Sequence, residues 1–561
     1  MEPRAGQEES SQRLEKQEPT AVLERLGWQT ASRDDSRVAQ TLHEGQEIDA
    51  MHELSEAGLL DEFFLCLEEI GMMAVIEQLG LPGVKRVVIP TVQFVLLYLL
   101  KVLFGGKSMN ELPKLLFSNV GLMKLVGFNA TQIEQGMTKR GDSQRQRKQK
   151  QGPISPQCLA NNICKLDREQ MERFFNQMVQ CLVRWGLLQG ELMVALDGSK
   201  LPTTNKYKGC GKLKETKRVK IKGQKELATQ EYYVYGWKVL VLIDVQTRLP
   251  LAMKVVSIQE YEGRWLLPLV EQAQSNLQGA AHISKVVIDR GYLDGEDLWQ
   301  LHQRGIIFVV VAKAGMSVAI DAQAVAKMQR SCHRERVVRH GHGKNAREER
   351  LRTELVGIEA LTTYDAYGEA EQTKQHHRRD FVGQPINAVV VQMWNNRAPS
   401  TDGIVYLTNG PVNDPFVVFD DYDWRSVIEN GIFKEGKHPW HLAQFPKKTE
   451  AGVIVHCHFT LVVMALCTAF RLWQANAASR AALECTPHPS LSTALLEGEG
   501  TARWRLRLKE ENRDKVIVFV GDVYGIFHLA EFAILVGMRL RLLPSDVGTR
   551  EAILQRYGIS P

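Results

Sequence analysis

The run ELMVALDGS, Glu191 to Ser199, decides the fold. Five apolar residues, Leu192 to Leu196, follow one another without a break and stop at Asp197. A short apolar run of this kind reads as a buried strand. The same shape returns in SKVVID, which ends in Asp289. Each strand thus delivers an aspartate to the C-terminal edge of a sheet, the edge where open α/β sheets bind ligands. One such Asp commonly starts a turn or caps a helix; the pair weighs more.

Working outward, EYYVYGWKVLVLIDVQTRLPLAMKVVSI reads as two strands joined by a turn near Gln246 to Pro250, GRWLLPLVEQAQSNL as a helix, DGEDLWQLHQRG as a short helix capped by Asp294, and IIFVVVA as a further strand. The order β–β–β–α–β–α–β predicts an α/β fold, a mixed sheet with helices packed on it. Residues 157–312 are expected to form the first part of this core, 313–402 a basic stretch of short strands and loops, and 403–474 the second part. Before the core come a polar, acidic segment (1–48) expected to be disordered, a helical domain (49–135), and a basic linker (136–156). After it, 475–561 reads as a linker and a helical region, a candidate dimer contact.

Composition limits the function. The chain has 561 residues and a net charge of +5, so what a phosphate backbone would feel is local patches rather than the total. Lys206 to Lys225 holds nine Lys/Arg against one acid, Glu215. Lying just after Asp197, it is expected to meet the DNA backbone through Lys208, Lys212, Lys214, Lys217 and Arg218, although charge runs are often only solvated hairpins. Nine scattered cysteines without a C-x-x-C pair argue against a disulfide framework and a zinc ribbon, and fit a reducing cytoplasm. The N-terminal segment has no apolar core of a signal peptide. Val87 to Phe104 is membrane-like in hydropathy but is interrupted by Pro90, Gln93 and Lys101, so it reads as a buried helix, and no membrane partner is expected. His456-Cys457-His458 lies at the start of an apolar helix, where neighbouring residues point different ways, and reads as core rather than as a metal site.

The third carboxylate is in DYDWRSVIENGIFKEGK, Asp421 to Lys437. Arg425 and Glu429 are four apart, on one helix face, which by itself is a surface ion pair worth tenths of a kcal/mol. Ile428, Ile432 and Phe433 flank the acid, however, and a partly buried carboxylate needs a compensating cation. Two Asp and one Glu are hard oxygen donors that suit Mg²⁺ or Mn²⁺.

Asp197, Asp289 and Glu429, with 91 and 139 residues intervening, resemble the DDE triad of cut-and-paste transposases. DRGY, Asp289 to Tyr292, is similar to the signature around the second Asp, and Tyr422, Arg425, Glu429 and Lys437 resemble the Y-x2-R-x3-E-x6-K signature of insertion-sequence family four. Seven residues, not six, separate Glu429 from Lys437, so Lys434 or Lys437 takes the last place. SMNELPKLLFS, GCGKLK, YGWKVLVLID, INAVVV and VYGIFHLAEF extend the resemblance from about residue 70 onward.

The resemblance implies a ribonuclease-H-like mixed-sheet core with a β-rich insertion, and two metal ions per site driving phosphoryl transfer, with hydrolysis followed by 3′-hydroxyl attack. It also implies double-stranded DNA as partner, with the helical domain (49–135) as the candidate for reading DNA ends, a homodimer on paired ends, and phosphate-holding by Tyr422, Arg425 and the lysine. Arg290 and Trp440 complete the expected DNA contacts, Trp440 either stacking on a distorted base or packing. The rivals are a metal-dependent nuclease without strand transfer and a domesticated, inactive DNA-binding protein. A glycosidase acting through an Asp/Glu pair fits poorly with the dense Lys/Arg stretches and 7% aromatic content.

Overall fold

The computed structural model describes residues 31–53, 60–81, 89–136, 152–220, 227–340, 347–371, 380–395, 398–399, 403–485, 515–538, 540, 543 and 547–560. Among the described residues eleven strands build its main sheet, the two-residue Ala398–Pro399, which pairs only with β9, and ten longer ones: β1 (Gly190–Thr203), β2 (Gly211–Lys220), β3 (Leu227–Asp244), β4 (Pro250–Ser257), β5 (Ala281–Ile288), β6 (Ile307–Val311), β7 (Cys332–His340), β8 (Arg347–Leu361), β9 (Ile386–Asn395) and β10 (Ile404–Thr408). Their order is β2-β3-β1-β5-β6-β10-β9-β8-β7, and β4 also pairs with β3.

The path β4-β3-β1-β5-β6 is the mixed, ribonuclease-H-like sheet. Strands β4, β3 and β1 run antiparallel in turn, and β5 and β6 add in parallel to β1. Parallel neighbours need helical crossovers, and these are α3 and α4 in the series α1 (Thr91–Leu103), α2 (Arg168–Arg184), α3 (Leu266–Leu277), α4 (Gly295–Gln303), α5 (Ser317–Ala326), α6 (Pro415–Asp423) and α7 (Glu450–Cys485). Asp294 caps α4 as the sequence suggests, its side chain accepting from the Glu296 and Asp297 amides. Central position explains the apolar run of β1: Val194, Ala195 and Leu196 have no exposed surface.

The inserted strands β7, β8 and β9 do not stand apart from the core. Strand β10 lies antiparallel both to β6 and to β9, so core and insertion share one sheet. The insertion also opens with a helix, α5, where short strands and loops were expected. Its buried face consists of Val318, Ala319 and Ala322, too small to give a strong helical pattern.

Helix α1 is buried along its whole length, as its interrupted hydropathy suggests. Helix α7 contains one stretch, Glu450–Gln474, long and apolar enough to cross a membrane, and its most apolar 18 residues are all buried inside the fold, packed on α1 and α2. The Tyr98 hydroxyl donates to His456 Nδ1 at 2.9 Å, and His456 Nε2 donates to the His441 carbonyl at 2.9 Å. The helix runs on to Cys485, past residue 474 where a linker was expected.

Two further expectations need correction. Residues 31–48 are not a disordered tail, and the C-terminal region is not all helical. Ser32–Arg33, Val523–His528, Lys515–Val520 and Ala50–Glu53 form a second, four-stranded sheet in that order. Helices Asp35–His43 and Leu529–Leu535 cover it, around a separate core that includes Val38, Leu42, Val518, Phe527 and Leu535. The N-terminal segment is too polar to fold by itself and takes its apolar partners from about the last 45 residues. Most of the basic linker, 137–151, lies outside the described residues.

Candidate active site

Leu196 pairs with Ile288 across the parallel ladder of β1 and β5. One residue further on, Asp197 and Asp289 therefore stand side by side, at a backbone separation of about 4.8 Å set by strand spacing. Strand β1 continues to Thr203, whereas β5 ends and Asp289 begins a tight turn, Arg290–Tyr292, with the Tyr292 amide donating to the Asp289 carbonyl at 2.9 Å.

Helix α6 and the turns after it bring in the third carboxylate. The Arg425 Nη1 lies 2.5 Å from Glu429 Oε1 and 3.3 Å from Asp197 Oδ2, bridging the two acids. Asp197 Oδ1 accepts from the Gly198 amide at 2.7 Å. Burial pushes the Asp197 carboxyl up to about 6; the Gly198 amide and Arg425 oppose this, while Asp289 and Glu429 push the same way. The three acids thus share one electrostatic neighbourhood. Among the described residues, though, no three such side chains already stand as a ligand set. Glu429 is also more open than its apolar neighbours suggest, with 48% of its side chain exposed, while Ile428, Ile432 and Phe433 turn inward.

The residues fit a hard divalent cation in two respects. The donors are all carboxylate oxygens, and Arg425 already occupies the place between Asp197 and Glu429 that a positive charge must take. Its Nε is buried without a hydrogen-bond partner among the described residues. The ring of Tyr422 packs on Tyr406 at 4.7 Å, with the Arg425 guanidinium 5.6 Å from its centroid. Burial raises the Tyr422 hydroxyl pKa, which Arg425 opposes and Asp289 and Asp197 reinforce. Tyr422, Arg425, Asp197, Asp289 and Glu429 are therefore brought together.

The helix carrying Glu429 changes pitch there. Ile428–Lys434 is a π-helical turn, flanked by α-helical residues on both sides. Such a turn takes up one extra residue within a helix and is frequent at functional sites. Lys434, its last residue, is exposed, and Lys437 beyond it is half-buried, with burial lowering the Lys437 ammonium pKa.

The remaining expected contacts are spread out. Lys208, Lys212, Lys214 and Lys217 are exposed on or just before the β2–β3 ribbon; the Arg218 side chain lies outside the described residues. Lys212 sits over the Tyr233 ring at 3.8 Å, and Lys214 pairs with Glu231 at 2.8 Å. Arg290 is exposed beside Asp289. Trp440 is corrected: at 1% exposure its ring belongs to the core and is closed to a base. The run after the π turn folds back against α7 and buries it.

Residues 189–467 match the family model for the transposase DDE domain. The match supports a DDE transposase. The matched DDE domain begins one residue before β1 and ends inside α7, so it contains all three carboxylates and the inserted strands. No curated protein sequence matches the chain. Among solved structures, the piggyBac transposase synaptic complex with hairpin DNA is similar at 10% identity over 93% of this chain and 89% of that one, with a TM-score of 0.35.

Two of three further residues at the site escape sequence reasoning, and the third, Tyr292, enters it only as the last residue of DRGY. Glu262, Lys238 and Tyr292 gather beside Asp197 and Asp289 from separate elements. The acid pair Glu260 and Glu262 just after an apolar strand is the hint at Glu262 and Lys238.

Proposed function

We propose that the chain is a DNA transposase that cuts and joins the ends of a mobile element, with Asp197, Asp289 and Glu429 as its catalytic carboxylates. The observation that carries this is the pairing of Asp197 and Asp289 one step past a parallel register pair, with Glu429 joined to Asp197 through Arg425. Two Mg²⁺ or Mn²⁺ ions held by the three carboxylates would supply an activated oxygen nucleophile and stabilise the leaving oxygen.

The chain's own residues do the rest. Arg425 releases its carboxylates in favour of a phosphate, to which a rigid guanidinium fork is suited. Tyr422 holds that guanidinium in line. Lys437 takes the last place of the family-four signature, because the π turn absorbs the extra residue and restores the helical phase that six intervening residues would give. Double-stranded DNA lies along Lys208, Lys212, Lys214, Lys217, Arg218, Arg290 and Lys434. The protein works in the cytoplasm as a homodimer on paired ends, with the C-terminal region contributing contacts.

The test is cleavage and joining of a DNA end from the element, with Asp289→Ala and Glu429→Ala alongside the parent. Both variants are expected to bind DNA and to cut at least 1,000-fold more slowly, since metal-ligand loss removes several kcal/mol of transition-state stabilisation. Retained cutting in Asp289→Ala would sink the assignment. Cutting by the parent without joining would instead favour a nuclease.

A further inference from the structure

We propose that Glu262 is a fourth carboxylate of this site: clamped by Lys238 and accompanied by Tyr292, it holds water on the divalent ions bound at Asp197 and Asp289. The inference rests on the metal-dependent reading above and adds a positioning residue to it.

The two oxygens of Glu262 have different surroundings. Oε1 is held by Lys238 Nζ at 2.7 Å. Lys238 is buried on β3, 8% exposed, and also donates to the Glu260 carbonyl at 3.0 Å, so the clamp is fixed in place. Oε2 faces the backbone of both aspartate segments. A methyl group built on Gly198, next to Asp197, would lie 2.9 Å from it, and one on Gly291, two residues past Asp289, would lie 3.8 Å away. Glycine at 198 is what lets a carboxylate come so near.

An independent observation points into the same space. The Tyr292 side chain has no exposed surface, and its hydroxyl has no hydrogen-bond partner among the described residues. Its charged neighbours are Glu262 first, then Asp197 and Asp289. A buried hydroxyl left unbonded costs about 1–3 kcal/mol, so a tyrosine placed among three acids indicates a missing polar group there. Water on a hard cation answers both needs. Mg²⁺ keeps several waters and is usually held by only one or two carboxylates. Glu262 Oε2 would accept from such a water and Tyr292 would donate to it, while Lys238 offsets the added negative charge. Groups in this outer ring commonly change metal affinity 10–100-fold when removed.

The test is Mn²⁺ titration of the full chain, followed by the electron-spin-resonance signal of free ion, together with the water-proton relaxation rate of bound ion. Asp197→Asn is the reference. Glu262→Gln is expected to weaken Mn²⁺ binding about tenfold and to alter the relaxation rate, and also to lower the temperature of thermal unfolding in chelator, because it leaves the buried Lys238 ammonium without its charge partner. Tyr292→Phe, which removes only the unbonded hydroxyl, is expected to weaken binding about threefold and to keep its fold even where Glu262→Gln does not. If Asp197→Asn abolishes binding while Glu262→Gln and Tyr292→Phe match the parent in affinity and relaxation, the role of Glu262 is refuted and the metal site stands. If Asp197→Asn itself binds like the parent, the metal reading fails and the role of Glu262 with it.

Discussion

Lys285 on β5 forms an ion pair with Asp421 on α6. The lysine lies four residues before Asp289 and the aspartate eight before Glu429, so one contact ties the strand that ends in the second carboxylate to the helix that leads to the third. Both side chains are largely covered, 21% and 15% exposed, which shields the pair from solvent screening.

Asp421→Asn is therefore expected to loosen the approach of Glu429 without touching any residue at the reacting centre. Unfolding in urea should show a loss of about 1–3 kcal/mol, the cost of leaving a covered charge without its partner. DNA-end cleavage should fall about tenfold, because misplacement by an ångström costs catalysis steeply. Unchanged cleavage would mean that α6 is held in place by its apolar contacts alone.

The π turn ends on Lys434, and Lys437 follows in the α-helical residues after it. Lys437→Ala is expected to slow cleavage 10- to 100-fold, and Lys434→Ala less than threefold, with the difference reading the loss of one charged phosphate contact. Deleting Asn430 to restore a six-residue spacing should straighten the turn; activity then survives only if Lys437 still reaches the same place. Equal effects of the two alanine variants would remove the reason for preferring Lys437.

Gly236 carries the crease in the longest strand. It pairs with Pro202 on β1 and with Gly211 on β2, at the point where β3 passes from the sheet into the basic ribbon. Its φ is +145°, and a methyl group there would lie 2.2 Å from the Leu201 carbonyl oxygen. Gly236→Ala is expected to destabilise the chain by about 2–4 kcal/mol, since backbone must move rather than a flexible side chain. Calorimetric melting would show it as a Tm several degrees lower.

His458 gives the core a sensitivity to acid. It is buried in α7, donates from Nδ1 to the Ile454 carbonyl at 2.8 Å, and leaves Nε2 without a partner among the described residues. Burial lowers its pKa from 6.5 to about 4. A histidine kept neutral by folding contributes stability that is present above pH 6.5 and is lost as pH falls toward 4. Between pH 6.5 and 4.5 the parent should lose about 2–3 kcal/mol from this residue, and His458→Leu should be spared that loss. Urea titrations at the two pH values measure the difference.

How legible all this is in the sequence depends on how local its cause is. Strand β1 announces itself because a central strand is buried on both faces and its apolar run, Leu192 to Leu196, is unbroken; β5 does so only in its last three residues, Val286 to Ile288. Arg425 and Glu429 are one helical turn apart, so their contact is written into spacing. Glu262 is not legible: its proximity to Asp197 depends on the turn after β4, a lysine on β3 and two glycines on other segments. Trp440 misleads because an indole beside a catalytic helix looks the same whether it packs inward or outward. Residues 31–48 mislead for a related reason. Their composition is that of a soluble tail, and the apolar surface that orders them lies nearly the whole chain away.

That last distance has a consequence during synthesis. Arg33 is aligned with Tyr524, and Met51 with Val518. At about 5–20 residues per second, a ribosome needs on the order of half a minute to a minute and a half to make the residues in between. Through that interval the early segment waits, while the main sheet and its carboxylates can already assemble from residues translated before the final hairpin. The small sheet is in effect a clasp closed last, joining only when Lys515–His528 has left the ribosome. A nascent chain stalled before that hairpin would hold Asp197, Asp289 and Glu429 yet still expose Val38 and Leu42, an apolar mark by which quality control can distinguish an unfinished chain from a finished one.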